Sequence, residues 1–175
     1  MDNISAMLLG LVQGLTEFLP VSSSGHLVIG QHLLGFTEPE VFFDVCLHIG
    51  TLVAVLLVFW RDAADLVVGG LRFLARPRLA KGVQLDDQQT KLLLVVIGTL
   101  PTVVLGLFAR HWLEDMFGSV LIVSINLVIT GTFLWLTRYV TTAAPRGPAD
   151  TRWQHALAIG LAQGLALTPG ISRSG

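Results

Sequence analysis

Residues 10–26 have the sequence GLVQGLTEFLPVSSSGH, and they lie in an otherwise apolar segment that extends from Ile4 to Leu34. A straight lipid-facing helix cannot contain this proline followed by serines, glycine and histidine. Irregular backbone at membrane depth persists only where protein or a water-filled cavity satisfies its polar groups. We therefore predict a re-entrant helical hairpin over residues 4–35 with the polar segment at its tip. The alternative is a fourth full span with a polar end.

Bulk composition indicates a membrane protein. Of the 175 residues, 53% are hydrophobic and 13% are charged, and the mean hydropathy is +0.71, whereas about a quarter of residues are charged in soluble domains. Three apolar runs, residues 42–60, 92–109 and 120–136, approach the ~20 residues that cross a ~30 Å hydrocarbon core. We predict an all-α integral membrane protein, a multi-span helical bundle that forms a single membrane domain over residues 1–175. Pro101 should kink the second span.

Net charge excludes one class of partner and cysteine content gives little information. The formal net charge is -1 and the pI is about 6.5, so no global basic field attracts nucleic acid. The single cysteine, Cys46, cannot form an internal disulfide and is most simply a small packed hydrophobic residue. The N-terminus lacks the basic region of a secretory signal peptide.

Basic residues predict the orientation of the chain. They cluster in residues 61–91 and 138–152, and cytoplasmic loops collect Lys and Arg. We expect both segments to face the cytoplasm. The link over residues 110–119 and the link before the first span should then face outward.

The two ends of the chain carry versions of one element. Residues 10–25 and 160–175 are identical at 8 of 16 positions, including a Ser-x-Ser-Gly ending. Three predicted spans separate the copies, so the second copy enters from the opposite face and the pair forms an inverted repeat. Such repeats bring broken helices together near the bilayer midplane. Residues 153–175 would be the incomplete start of the second element, and we expect the chain to be a fragment of a longer protein.

Glu17 is the first candidate functional residue. A carboxylate in an apolar membrane segment costs roughly 2.5 kcal/mol or more unless it is paired or hydrated. Gln13 lies four residues earlier, on the same helix face. Glu17 is therefore a candidate general base, or a divalent-cation ligand together with Gln13. The alternative is a protonated Glu17 that is hydrogen-bonded inside the bundle.

The segment after Pro20 has the composition of an anion site. Ser22, Ser23, Ser24 and Gly25 can form a turn with free N–H groups, and His26 can move a proton near neutral pH. A serine beside a histidine is the minimum required for nucleophilic attack on phosphorus. Serine-rich turns also simply cap helices, and that alternative stays open.

The second copy, PGISRSG, adds an arginine. Arg173 stands between Ser172 and Ser174 at the position that matches Ser23, and its planar fork suits phosphate oxygens. A surface arginine at the cytoplasmic side is the alternative.

Polar residues also occur inside the predicted spans. Asp44 and His48 either line the same cavity or hydrogen-bond across helices. Ser124, Asn126 and Thr130 are more often contacts between helices than parts of a site.

These motifs make the chain resemble the bacterial undecaprenyl-diphosphate phosphatase family, membrane enzymes linked to bacitracin resistance. The segment GLVQGLTEFLPVSSSGH is similar to that family's first signature, PGISRSG to the start of its second, and FDVCLHIGTLVAVLLVFWR (residues 43–61) is also typical of the family. Two features depart from the pattern: Gln13 stands where an acidic residue is the other option, and the second motif ends before the family's threonine.

The resemblance implies hydrolysis of undecaprenyl diphosphate in the bacterial plasma membrane, with a divalent cation, Mg or Ca, as helper. Glu17 would be the essential acidic residue with Gln13 as its partner, and Ser23 the candidate nucleophile. His26 would serve in proton transfer, and Arg173 would clamp phosphate. The other phosphate-binding candidates are Ser22, Ser24, Ser172 and Ser174. A transporter or flippase of an anionic polyprenyl phosphate lipid is the alternative, because inverted repeats are common in transporters.

Overall fold

The fold was examined in a computed structural model, which describes residues 2–36, 40–75, 87–139 and 151–173. Across these ranges the chain is α-helical, with no strand. The helices, in chain order, are α1 (Asn3–Thr16), α2 (Ser23–Leu33), α3 (Val41–Val58), α4 (Trp60–Ala75), α5 (Asp87–Phe108), α6 (Arg110–Phe117), α7 (Val120–Thr137) and α8 (Trp153–Leu165).

Three of these helices are long and apolar enough to cross a membrane. They are α3, α5 over Gln89–Phe108, and α7, with 18 to 20 residues each. Their positions overlap the predicted ranges 42–60, 92–109 and 120–136. Pro101 lies inside α5. The prediction of an all-helical protein with membrane-spanning helices is therefore confirmed.

The first repeat element is a broken helix. Helix α1 ends at Thr16, residues 17–21 form turns, Ser22 follows, and α2 begins at Ser23. Ser22 precedes α2 with a left-handed backbone, φ 63°, and its hydroxyl accepts from the Gly25 N–H at 3.4 Å. The helix thus stops just before Glu17 and does not continue unbroken from α1 into α2. The two short helices pack against each other.

Glycine allows α8 to pack closely against α5. A Cβ placed on Gly160 would clash with the carbonyl oxygen of Gly98, so the two backbones touch at this point. Thr102 Oγ1 donates a hydrogen bond to the Gly160 carbonyl at 2.9 Å. This small-residue contact anchors α8, and α8 in turn carries the second motif at its C-terminal end.

Two helices occupy segments that we predicted only as links. Helix α4 begins directly after α3, and α6 fills the link between α5 and α7. Both have charged residues on an amphipathic pattern, which the search for long apolar runs does not detect. Residues 76–86 and 140–150, which contain much of the basic charge used to predict orientation, lie outside the described residues.

Candidate functional site

Glu17 is the centre of a group of hydrogen bonds at the broken helix. It is the C-cap of α1, and its Oε2 accepts from Gln13 Nε2 at 3.0 Å and from the Ser23 hydroxyl. The bond to Ser23 crosses the turn from the end of α1 to the start of α2. The carboxylate that sequence analysis singled out therefore lies directly against the hydroxyl that was predicted to be the nucleophile.

The two repeated motifs line one cavity. It has a volume of about 130 Å³ and we call it the polar cavity. Thr16, Glu17, Leu19 and the serines 22–24 line it from the first motif, and Ile171, Ser172 and Arg173 line it from the second. Positively charged, hydroxyl and carboxylate groups thus converge from opposite ends of the chain. Ser174 lies outside the described residues.

A glycine contact holds the two motifs together. A Cβ on Gly25 would lie 2.9 Å from the Gly170 Cα and 3.0 Å from Leu127 Cδ2. Gly170 has φ 91°, and a Cβ there would lie 2.6 Å from the Val123 carbonyl oxygen. Only glycine fits both positions without displacing backbone, which explains glycine at these two points of the sequence.

Helix α7 binds the second turn through side chains. Asn126 Nδ2 donates to the Pro169 carbonyl at 2.9 Å, and Thr130 Oγ1 donates to the Gly170 carbonyl at 2.8 Å. The interpretation of Asn126 and Thr130 as interhelical contacts is confirmed. Ser124 instead bonds the Val120 carbonyl of its own helix. Gln163 was not among the predicted site residues, yet its Nε2 donates to the Arg173 carbonyl at 3.3 Å. Its match to Gln13 in the repeat was the signal that could have found it.

The histidine that meets Glu17 is His48. Its Nε2 lies 3.9 Å from Glu17 Oε2, and its Nδ1 donates to the Asp44 carbonyl at 2.7 Å. Because Nδ1 carries the proton of the neutral ring, Nε2 has a proton only when the imidazole is charged. The contact between Nε2 and the Glu17 carboxylate is attractive in that charged form. His26 Nδ1 donates to the Ser22 carbonyl at 2.9 Å. His26 is not among the residues that line the polar cavity, and its role in proton transfer stays a prediction.

Gln13 and Glu17 are the residues that would hold the predicted divalent cation. Gln13 is 1% exposed, and its Oε1 is buried without a hydrogen-bond partner. Amide and carboxylate oxygens are ligands of the kind that Mg²⁺ and Ca²⁺ prefer. Gln13 meets Glu17 through its Nε2, so its amide group would have to turn over to present the oxygen to a cation at the carboxylate. In the described part of the chain, no group of three or more His, Cys, Asp or Glu could hold a metal. Water and a bound phosphate would therefore have to complete the coordination of such a cation.

A larger cavity adjoins the polar one. It has a volume of about 650 Å³, and it shares Ser24 and Arg173 with the polar cavity. We call it the apolar cavity. Most of its wall is hydrocarbon, from Val41, Val45, Ile49, Leu52, Leu113 and Phe117. Asp44 and His48 lie on the wall of this larger cavity and not on that of the polar cavity. Asp44 also accepts from Gln31 Nε2 at 2.6 Å.

Helix α6 contributes an ion pair to the same cavity. Arg110 Nε donates to Glu114 Oε1 at 2.8 Å. This hydrogen bond lowers the pKa of Glu114 below its usual value and raises that of Arg110. Both side chains are mostly exposed, so the pair contributes little to stability.

Comparison with known proteins identifies the family. The family described as bacitracin resistance protein BacA matches residues 6–175. Similar curated proteins named undecaprenyl-diphosphatase come from Desulfatibacillum aliphaticivorans, Alkaliphilus metalliredigens and Desulfosudis oleivorans. They are 46%, 45% and 48% identical over 98%, 100% and 100% of this chain. The chain spans 64% of the length of each of these relatives. The chain belongs to the bacitracin resistance protein BacA family.

Proposed function

We propose that the protein is a multi-pass enzyme of the bacterial plasma membrane that hydrolyses undecaprenyl diphosphate to undecaprenyl phosphate and inorganic phosphate. This reaction would recycle the lipid carrier for cell-wall synthesis and give bacitracin resistance. One observation carries the proposal: Glu17, the serine turn and Arg173 line the same small cavity. The curated relatives named undecaprenyl-diphosphatase favour this function over a lipid transporter.

The cavities suit the two parts of such a substrate. The polar cavity offers an arginine fork and serine hydroxyls to the diphosphate, and the apolar cavity offers hydrocarbon walls to the adjoining prenyl chain. Because Ser24 and Arg173 lie on both cavities, the headgroup and tail can bind at the same time. The polar cavity alone would not distinguish a lipid diphosphate from inorganic diphosphate, so the apolar cavity would supply the selectivity for a lipid.

In the proposed reaction, Ser23 attacks the terminal phosphorus. Glu17 accepts the hydroxyl proton as the new oxygen–phosphorus bond forms. The bond from that phosphorus to the bridging oxygen breaks, and undecaprenyl phosphate leaves. Water then hydrolyses the phosphoserine and releases inorganic phosphate. Arg173 binds the phosphate oxygens throughout, where charge accumulates in the transition state.

A divalent cation held by Gln13 and Glu17 belongs to the proposal. When bound, it would neutralise phosphate charge. The observation that supports this cation is the Gln13 side chain, which lies against the Glu17 carboxylate and whose Oε1 has no hydrogen-bond partner.

The proposal also includes the inverted repeat of two re-entrant elements. At ~1.5 Å rise per residue, α1 and α2 are about 21 and 16 Å long, and both are shorter than a ~30 Å core. The contact between Gly25 and Gly170 brings the two broken elements together. Both facts support the arrangement in which two hairpins meet inside the lipid.

The test is phosphate release from undecaprenyl diphosphate in detergent. Glu17→Ala and Arg173→Ala should each reduce the rate by at least about 100-fold. Matched controls are Asp65→Ala and Arg72→Ala on α4, which line neither cavity. Undiminished release by both site variants would contradict the assigned roles. Movement of lipid across vesicles without phosphate release would instead support transport.

A further inference from the structure

Side-chain hydrogen bonds attach the turn that carries Arg173 to a neighbouring helix. After α8 ends at Leu165, residues 166–173 are irregular. Irregular backbone inside a membrane protein must find hydrogen-bond partners on neighbouring elements. Three of the turn's hydrogen bonds go to one face of α7, where Asn126 and Thr130 lie four residues apart. Gln163 on α8 adds a bond to the Arg173 carbonyl.

Thr130 bonds the turn twice. Its hydroxyl donates to the Gly170 carbonyl at 2.8 Å and accepts from the Ser172 N–H at 3.2 Å. The side chain is buried, with 6% exposure. A hydroxyl can donate and accept at once, so one side chain fixes two backbone groups immediately before Arg173. Asn126 adds a third bond, to the Pro169 carbonyl.

The position of the turn along α7 is therefore closely defined. Gly170 packs against the α7 backbone, where a Cβ would lie 2.7 Å from Asn126 Cβ. The three hydrogen bonds then determine which way the chain leaves Gly170 toward Arg173. Neither Asn126 nor Thr130 is among the residues that line the polar cavity.

We propose that Thr130, supported by Asn126, is a positioning residue that sets the place of Arg173 on the wall of the polar cavity and so controls phosphate binding without contacting phosphate. The role in phosphate binding rests on the proposed function. The attachment of the turn to α7 by Thr130 does not rest on the proposed function, because it follows from the hydrogen bonds alone. Because Val has the shape of Thr but no hydroxyl, Thr130→Val removes the bonds with little change in packing. Thr130→Ser keeps the hydroxyl and should keep the function.

The chain offers a matched control on the same helix. Thr132 Oγ1 donates to the Val128 carbonyl of its own helix at 2.8 Å, and the side chain is exposed. Thr132→Val is therefore the same chemical change without loss of a bond to the turn.

The experiment uses the full chain in detergent with two readouts. Hydrogen exchange with mass spectrometry follows the backbone amides of residues 166–173, and inorganic pyrophosphate serves as the phosphate probe in a binding titration. Thr130→Val should increase exchange in this peptide and weaken pyrophosphate binding by about threefold to tenfold, the range given by one or two buried interhelical hydrogen bonds. Thr130→Ser and Thr132→Val should match the unmodified chain in both readouts.

Two results would overturn the proposal. One is unchanged exchange of residues 166–173 in Thr130→Val. The other is faster exchange with undiminished pyrophosphate binding, while Arg173→Ala lowers binding. Absence of pyrophosphate binding by the unmodified chain would instead contradict the proposed function, and the exchange readout would still decide whether Thr130 holds the turn.

Discussion

The carboxylate of Glu17 accepts a hydrogen bond from the hydroxyl of Ser23, across a turn that ends one helix and begins the next. Gln13 Nε2 binds the same carboxylate oxygen. A serine hydroxyl that already donates to a carboxylate needs no rearrangement to lose its proton, which is the arrangement that an activated nucleophile requires.

Ser23→Ala should abolish this activation. We expect phosphate release from undecaprenyl diphosphate to fall by at least about 100-fold, because the attacking oxygen is removed while the cavity and Arg173 remain. The assay is the rate at saturating substrate. Ser124→Ala is the control, since the Ser124 hydroxyl bonds only the Val120 carbonyl of its own helix. Equal rates for Ser23→Ala and the control would exclude Ser23 as nucleophile.

Gly25→Ala should separate the two motifs. Its Cβ would lie 2.9 Å from the Gly170 backbone, which must move away. We expect kcat/KM for lipid diphosphate to fall by at least about tenfold, because a displacement of even 1 Å at a site is costly. Gly14→Ala places a methyl group where no atom lies within 4 Å. A Gly25→Ala protein as active as Gly14→Ala would show that the contact is unimportant.

Gly160→Ala should destabilise the α5–α8 contact. The added methyl group would clash with the Gly98 carbonyl, and overpacking of this kind typically costs about 1–3 kcal/mol. The measurement is the thermal unfolding midpoint in detergent, followed by the near-ultraviolet signal of the tryptophans. In the control Gly50→Ala, the methyl group meets no atom within 4 Å, so its midpoint should stay the same or rise. A midpoint in Gly160→Ala equal to that of the control would contradict the close packing.

Chelation should remove phosphate release, and added Mg²⁺ or Ca²⁺ should restore it. Gln13→Leu should raise the cation concentration for half-maximal activity by about tenfold, because it removes one of two protein oxygen ligands. Gln154→Leu, an exposed position on α8, is the matched control. Full activity in excess chelator would refute the cation, and an unchanged half-maximal concentration in Gln13→Leu would refute Gln13 as its ligand.

Helices and helix breaks were predictable from the sequence where a local pattern defines them. The three apolar helices follow from run length, and the break after Thr16 follows from Pro20 and the serines. The short helices α4 and α6 were missed because their charged residues interrupt any apolar run. Such helices depend on a neighbouring surface that the sequence of the helix alone does not describe.

Several residues that line the polar cavity were predictable from the sequence, but their contacts were not. Glu17 and Arg173 were found because charge inside a membrane segment requires a partner. Spacing places Asp44 and His48 on one face of α3, yet it does not reveal that this face turns toward Glu17. The repeat pairs Gly25 with Gly175, whereas the contact of Gly25 is with Gly170. Repeats align sequence positions, and packing decides which atoms meet.

The cavity shared by Glu17 and Arg173 also has a consequence for biosynthesis. The two residues are 156 positions apart, so at about 5–20 residues per second the ribosome needs roughly 8 to 30 s between them. Through that interval the nascent N-terminal element exists without its arginine. The bonds from Gln13 and Ser23 to the carboxylate are local, so Glu17 can be stabilised as soon as α1, the turn and the start of α2 have formed. A half-made polypeptide therefore holds the acidic part of the site but cannot yet close it around an anion.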